Sequence, residues 1–212
     1  EDSPARLWRT DVRECQGELR GHTSAVVAAA ISPDGFLAVT ASLDGTAKLW
    51  SVDRGSFLCT LAGHDGSVVA AEFAEDSSRV LTTSVEEGAP VALWRAEDGA
   101  AIQVFSRGTP VRQARLAPDG GQVLGACADH CVRLWQAELG ECLVELRHSC
   151  QVAGAVFSLD GALAATAAED CTVRVWRLAD GARLHELSGH GAALAVVAFL
   201  ADGLGVVSAS VD

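Results

Sequence analysis

Five tryptophans set the frame of this chain of 212 residues: Trp8, Trp50, Trp94, Trp135 and Trp176 stand 42, 44, 41 and 41 residues apart. Each follows an apolar residue, namely Leu7, Leu49, Leu93, Leu134 or Val175. A second comb has the same period, with His22, His64, His148 and His190 and with Arg107 in the place of the missing histidine. A third is formed by Asp2, Asp44, Asp129 and Asp170, each six residues before a tryptophan. Three combs of one period require a chain of repeated supersecondary units, because a unit that recurs every 40 or so residues buries its apolar surface against its neighbours.

Between the marks the chain alternates or runs apolar for about five residues at a time, and each run is bounded by turn residues. In the unit that opens at His22, Val26 to Ile31, Phe36 to Ala41, Ala47 to Val52 and Phe57 to Leu61 read as four strands. Ser32-Pro33-Asp34-Gly35, Asp44-Gly45 and Asp53-Arg54-Gly55 separate them. Asp44-Gly45 predicts a two-residue hairpin, a turn whose central residues both take positive φ. Asp119-Gly120, Asp160-Gly161, Asp180-Gly181 and Asp202-Gly203 repeat the plan. No helical period occurs, so the expected fold is all-β, with four short antiparallel strands per unit.

These marks resemble the WD-repeat family, whose units open on Gly-His and close near Trp and form the four-stranded blades of a β-propeller. Gly21-His22, Gly63-His64 and Gly189-His190 match the opening, and Lys48-Leu49-Trp50, Arg133-Leu134-Trp135 and Arg174-Val175-Trp176 the close. The Asp that often follows Trp is absent at all five sites. The units run approximately 1–20, 21–62, 63–106, 107–146, 147–188 and 189–212. The resemblance implies a structural His, Ser/Thr, Asp, Trp tetrad in each blade. By position these sets are His22, Thr40, Asp44, Trp50; His64, Thr82, Glu86, Trp94; and His148, Thr166, Asp170, Trp176. A tetrad satisfies buried polar groups mutually, whereas a catalytic triad would occur once and not in every unit. The third unit breaks the pattern: Arg107 and Gly125 replace the His and the hydroxyl, which leaves Asp129 and Trp135 without a full network and predicts either a less rigid blade or a surface recruited for recognition. The second unit has a longer turn, Glu87 to Pro90, after Glu86.

Composition narrows the function. With 28 acidic residues against 16 basic ones, only Lys48 among them a lysine, the net charge of −12 argues against a phosphate-tracking groove. No run of eighteen apolar residues is present and the N-terminus lacks a signal-peptide pattern, so no membrane insertion is expected. Cysteines at 15, 59, 127, 131, 142, 150 and 171 contain no CxxC pair and read as reduced thiols, not metal ligands. An intracellular, most simply cytoplasmic, protein without cofactor, metal or small-molecule substrate is expected, and no catalytic residue is assigned.

What the resemblance implies about function is binding of other proteins at the propeller face. The matching positions include Leu43, Val85, Arg112, Gln151 and Glu169 among small apolar residues. They contain no aromatic cage for methyl-lysine and no arginine cluster for phosphopeptides. The expected role is a non-catalytic interaction scaffold; the alternative is an architectural or autoregulatory arm of a larger multidomain protein, with the face covered by another domain of the same polypeptide. Five periods offset by half a unit fit an arc of a larger propeller. If the ring closed instead, the first and last strand pairs would join in a composite fifth blade, with Trp8, His190, Ser208 and Asp212 or Asp2 as its tetrad.

Overall fold

The structure, a computed structural model, describes residues 4–11, 13–85, 91–105 and 108–212. Twenty strands and no helix occur among them. They fall into two compact units, Glu1–Ser106 and Arg107–Asp212. The turn acids and first-column residues Asp2, Glu86 to Pro90 and Arg107 lie outside the described residues.

The first unit begins with a two-stranded sheet of β1 (Ala5–Arg9) and β2 (Glu14–Leu19). A four-stranded antiparallel sheet follows in simple order, from β3 (Val26–Ile31) through β4 (Leu37–Ser42) and β5 (Thr46–Ser51) to β6 (Ser56–Ala62). A second such sheet contains β7 (Val68–Phe73), β8 (Arg79–Ser84), β9 (Val91–Arg95) and β10 (Ala101–Phe105). The second unit has the sheets β11 (Val111–Leu116), β12 (Gln122–Cys127), β13 (Cys131–Gln136), β14 (Cys142–Arg147) and β15 (Val152–Phe157), β16 (Leu163–Ala168), β17 (Thr172–Arg177), β18 (Ala182–Ser188). It ends with the pair β19 (Leu194–Phe199) and β20 (Val206–Ser210). β1 with β2, and β19 with β20, each form a two-stranded sheet.

Burial explains why these segments tolerate few polar residues. The second strands β4, β8, β12 and β16 are buried from their second residue onward, on both faces. Strands covered on both faces lose the alternation of a half-exposed sheet and read as runs of Ala, Val, Thr and Ser. Their neighbours across the sheet interface fill the core: Val39, Leu49 and Leu61 pack with Val80 and Trp94 in the first unit, and Leu124, Leu134 and Leu146 with Val152, Ala164 and Trp176 in the second. The fourth strand faces solvent on one side and regains alternation, as β14 shows.

Turn chemistry departs from one expectation. At Asp44-Gly45 only Gly45 has positive φ, 83°, and its N–H bonds the Ser42 carbonyl, so the loop is Leu43-Asp44-Gly45 with the left-handed residue last. This is the three-residue hairpin and not the two-residue one, because Asp44 is occupied elsewhere. His130 and Cys171 hold the same place in later sheets with φ of 65° each, conformations L residues adopt at some cost.

Ten aspartates use a side-chain oxygen to accept the N–H two residues ahead: Asp34, Asp44, Asp76, Asp98, Asp119, Asp129, Asp160, Asp170, Asp180 and Asp202, at 2.8 to 3.4 Å. A carboxylate that closes its own turn in this way replaces a backbone partner, which is why Asp recurs between the strands.

Candidate functional site

In the sheet β3 to β6 a polar chain runs from the core to the surface. The Trp50 indole N–H donates to Thr40 Oγ1 at 2.9 Å, and Thr40 Oγ1 lies 2.8 Å from His22 Nε2. His22 Nδ1 lies 2.8 Å from Asp44 Oδ2. Since Asp44 only accepts, Nδ1 carries the proton and Nε2 accepts from the Thr40 hydroxyl, so the chain has one donor direction throughout. Burial pushes the Asp44 carboxyl up, but hydrogen bonds from the Thr46 hydroxyl, the Thr23 and Thr46 amides and His22 outweigh it and hold it near about 2.

In the next sheet, Trp94 donates to Thr82 at 2.7 Å and His64 Nε2 lies 2.6 Å from the same hydroxyl. The acid of that set, Glu86, falls outside the described residues. In the sheet β15 to β18, Trp176 donates to Thr166 at 3.0 Å and His148 Nε2 lies 2.8 Å from it. There the resemblance is corrected: His148 Nδ1 donates to the Leu146 carbonyl at 3.1 Å, not to Asp170. Asp170 instead accepts from Arg174 Nη2 at 2.7 Å and from the Thr172 hydroxyl at 2.6 Å. A guanidinium presents several donors in a fixed plane and displaces a neutral imidazole from a carboxylate. Lys48, at the matching place in the first sheet, reaches Thr60 at 2.9 Å and lies over Phe57, which leaves Asp44 to His22.

In the third full sheet Gly125 stands in the hydroxyl's place and Asp129 takes a different partner: Arg133 donates to it through Nη1 at 3.1 Å and Nη2 at 2.5 Å, and through Nε to Glu145 at 3.1 Å. The same Arg to Glu pairing joins Arg174 Nε and Glu186 at 3.1 Å. In the sequence Arg133 and Arg174 stand out only as part of the closing motif, yet an Arg two residues before Trp with a Glu twelve further on recurs at a spacing of 41 and signals this pairing. At Gly125 a Cβ would come within 2.4 Å of the Trp135 ring, so the indole occupies the space a hydroxyl residue fills in the other sheets.

His148 gives a measurable pH dependence. Burial pushes its imidazole down to about 4, with Arg174 adding repulsion against the opposing pulls of the Leu146 carbonyl and Asp170. The unfolded chain takes up a proton near pH 6.5 that the folded chain refuses. Stability therefore falls as pH drops from about 6.5 to 4 and levels off for this group below that, a loss on the order of 3 kcal/mol. Urea midpoints between pH 7 and 4 check this; in His148→Gln the slope between about pH 6.5 and 5, above the range in which the carboxylates titrate, is expected to be largely lost. Asp44 adds its own loss only at lower pH, between about 4 and 2.

The face positions are set by a repeated backbone bond. The residue before each turn acid donates its N–H to the residue three after the histidine position: Leu43 to Ala25 at 3.0 Å, Ala128 to Pro110 at 2.9 Å, Glu169 to Gln151 at 2.9 Å and Val211 to Ala193 at 3.3 Å. In the first unit Leu43 and Val85 are exposed, and Ser67 Oγ donates to the Leu43 carbonyl at 3.4 Å. In the second unit Arg112 and Glu169 are exposed and Gln151 is half-buried. With its amide oxygen turned to the guanidinium, Gln151 accepts from Arg112 Nη2 at 3.0 Å and Nη1 at 3.2 Å. Arg112, Gln151 and Glu169 are thus linked side by side.

The site offers little covalent chemistry. All seven cysteines are free. Burial pushes the Cys127 thiol up to about 11 and raises Cys59, Cys131 and Cys150 as well, which disfavours the reactive thiolate. Among the described residues, no cluster of three His, Cys, Asp or Glu side chains could hold a metal ion.

Repeated four-stranded sheets joined by His, Thr and Trp chains define a β-propeller-type repeat protein. The family model of the WD domain, G-beta repeat, matches residues 13–51, 100–136 and 140–177, together more than half of the chain. The chain belongs to the WD40-repeat family. No curated protein matches it. WD40 repeats generally mediate interactions between proteins and are typically non-catalytic modules.

Proposed function

We propose that this chain is a non-catalytic scaffold that docks a partner protein on the face carrying Arg112, Gln151 and Glu169. The observation behind it is the exposed Arg112 guanidinium, which donates to the Gln151 amide oxygen at 3.0 and 3.2 Å once that amide is turned toward it, with the exposed residue Glu169 joined to the Gln151 carbonyl through its backbone N–H. A charged group fixed before binding loses less side-chain freedom on docking and so contributes more specificity than a free one. The surrounding Ala and Val positions supply modest area, so the partner brings the large anchor. The excess of acid supports a protein partner over nucleic acid, and seven free thiols support a reducing, intracellular location.

Arg112→Glu combined with Glu169→Arg in the full-length protein tests the site. Affinity purification with quantitative mass spectrometry, wild type against variant, is expected to lose specific partners by about tenfold or more, as reversing paired interface charges does. An unchanged partner set overturns the assignment.

A further inference from the structure

We propose that the second unit carries another docking site at the opposite end of its strands, a groove that takes a basic segment bearing a large apolar side chain. Gln151 precedes β15 and Leu159 follows it, so six strand residues separate the two ends by about 20 Å. The groove, of about 390 Å³, lies between the turn after β15 and the turn after β19, and Leu159, Asp160, Leu163 and Asp202 line it.

Leu159 sets its turn apart from the matching one in the first unit. In the first unit the matching turn reads Ser32-Pro33-Asp34-Gly35, and Ser32 Oγ closes onto Asp34. Here Leu159 replaces the proline and is 68% exposed within a complete four-stranded sheet, and Leu204, 90% exposed, lines an adjoining groove that shares Leu163 and Gly203 with this one. The exposure of Leu204 belongs to its place in the turn, since Phe36, at the same place in a complete sheet, is 60% exposed. Large aliphatic side chains held in water around a concave surface mark an interaction site.

Charge states what kind of partner fits. Asp160 spends Oδ1 on the Ser158 hydroxyl at 2.6 Å and the Ala162 amide at 3.0 Å, and Asp202 spends Oδ1 on the Leu204 amide at 2.9 Å. Among the described residues neither Oδ2 has a partner, and residues 158–163 and 200–205 contain no Lys or Arg. Two carboxylates line one groove, each with an outer oxygen available. A guanidinium satisfies such a pair with forked donors while its neighbour side chain covers the leucines. An acidic or plain apolar segment leaves the carboxylates facing repulsion or desolvation.

Fluorescence anisotropy of the full chain with three labelled hexapeptides, alternating Leu-Arg, Leu-Glu and Gly-Arg, tests the assignment. The Leu-Arg peptide is expected to bind about tenfold or more tighter than either control, since each control lacks one half of the recognition. Leu159→Ser with Leu204→Ser abolishes that preference, and so does Asp160→Asn with Asp202→Asn, which keeps the turn acceptor. Arg112→Glu leaves it unchanged, which separates this groove from the other face. Equal binding of Leu-Arg and Gly-Arg, equal binding of Leu-Arg and Leu-Glu, or variants that bind like wild type each overturn the proposal. So does a wild-type dimer in sedimentation that the leucine variant dissolves, because the groove then belongs to a second copy.

Discussion

Thr40→Val lowers the unfolding free energy of the chain by about 3 kcal/mol, although it exchanges a hydroxyl for a methyl of the same shape. Thr40 is fully buried, and its oxygen accepts from Trp50 at 2.9 Å while its proton serves His22 at 2.8 Å. Valine keeps the packing and leaves the indole N–H and the imidazole Nε2 buried without partners. Each orphaned group costs about 1–3 kcal/mol. Urea denaturation should show a lower midpoint with an unchanged slope, the sign of altered stability in an unaltered unfolding. Thr40→Ser, which keeps the hydroxyl, should recover most of the loss. A Val variant within half a kcal/mol of wild type would show that the polar chain contributes nothing and that packing alone carries this sheet.

Gly125→Thr gives the sheet β11 to β14 the residue its siblings have, and yet it destabilises the chain by about 2–3 kcal/mol. By sequence register this is a repair. In space the new Cβ sits 2.4 and 2.8 Å from two carbons of the Trp135 ring and 3.1 Å from a Val111 methyl. The indole is fully buried among its neighbours and has no room to withdraw. Thermal melting by circular dichroism distinguishes the outcomes: a lower midpoint shows that the ring has taken the hydroxyl's place, while a raised midpoint would mean that the indole moves aside and the polar chain forms. Gly125→Ala, which adds the same Cβ without a hydroxyl, should be destabilising too, so the effect is steric and not a matter of hydrogen bonding.

Strands and turns were legible because they follow from local rules: β4 and β5 lie within one residue of the segments read from apolar runs and Asp-Gly pairs. A fixed offset from the histidine position also reaches the same backbone bond in four of the repeats, from Leu43, Ala128, Glu169 and Val211. What stayed hidden depends on competition between side chains. Whether an acid serves the histidine or an arginine is decided four residues later, by Lys48 in one sheet and Arg174 in another, and both are basic in the sequence. The left-handed conformation of His130 and Cys171 was equally hidden, because only the glycine version of that turn announces itself by residue type. The resemblance supplied the tetrad as a uniform device, and the sheets vary it individually.

The ten aspartates that close their own turns bear on the acidity of the whole molecule. They make up more than a third of its 28 acidic residues, and the chain has no asparagine to share the task, although an amide oxygen would close the same turns without charge. Much of the net charge of −12 therefore arises from loop building, and at Asp160 and Asp202 the oxygen that the turn does not use is what faces the groove. Where the aspartate closes only its own turn, as Asp34 and Asp119 do, Asp→Asn would keep the closure, while Asp→Ala, with the identical effect on charge, would remove it.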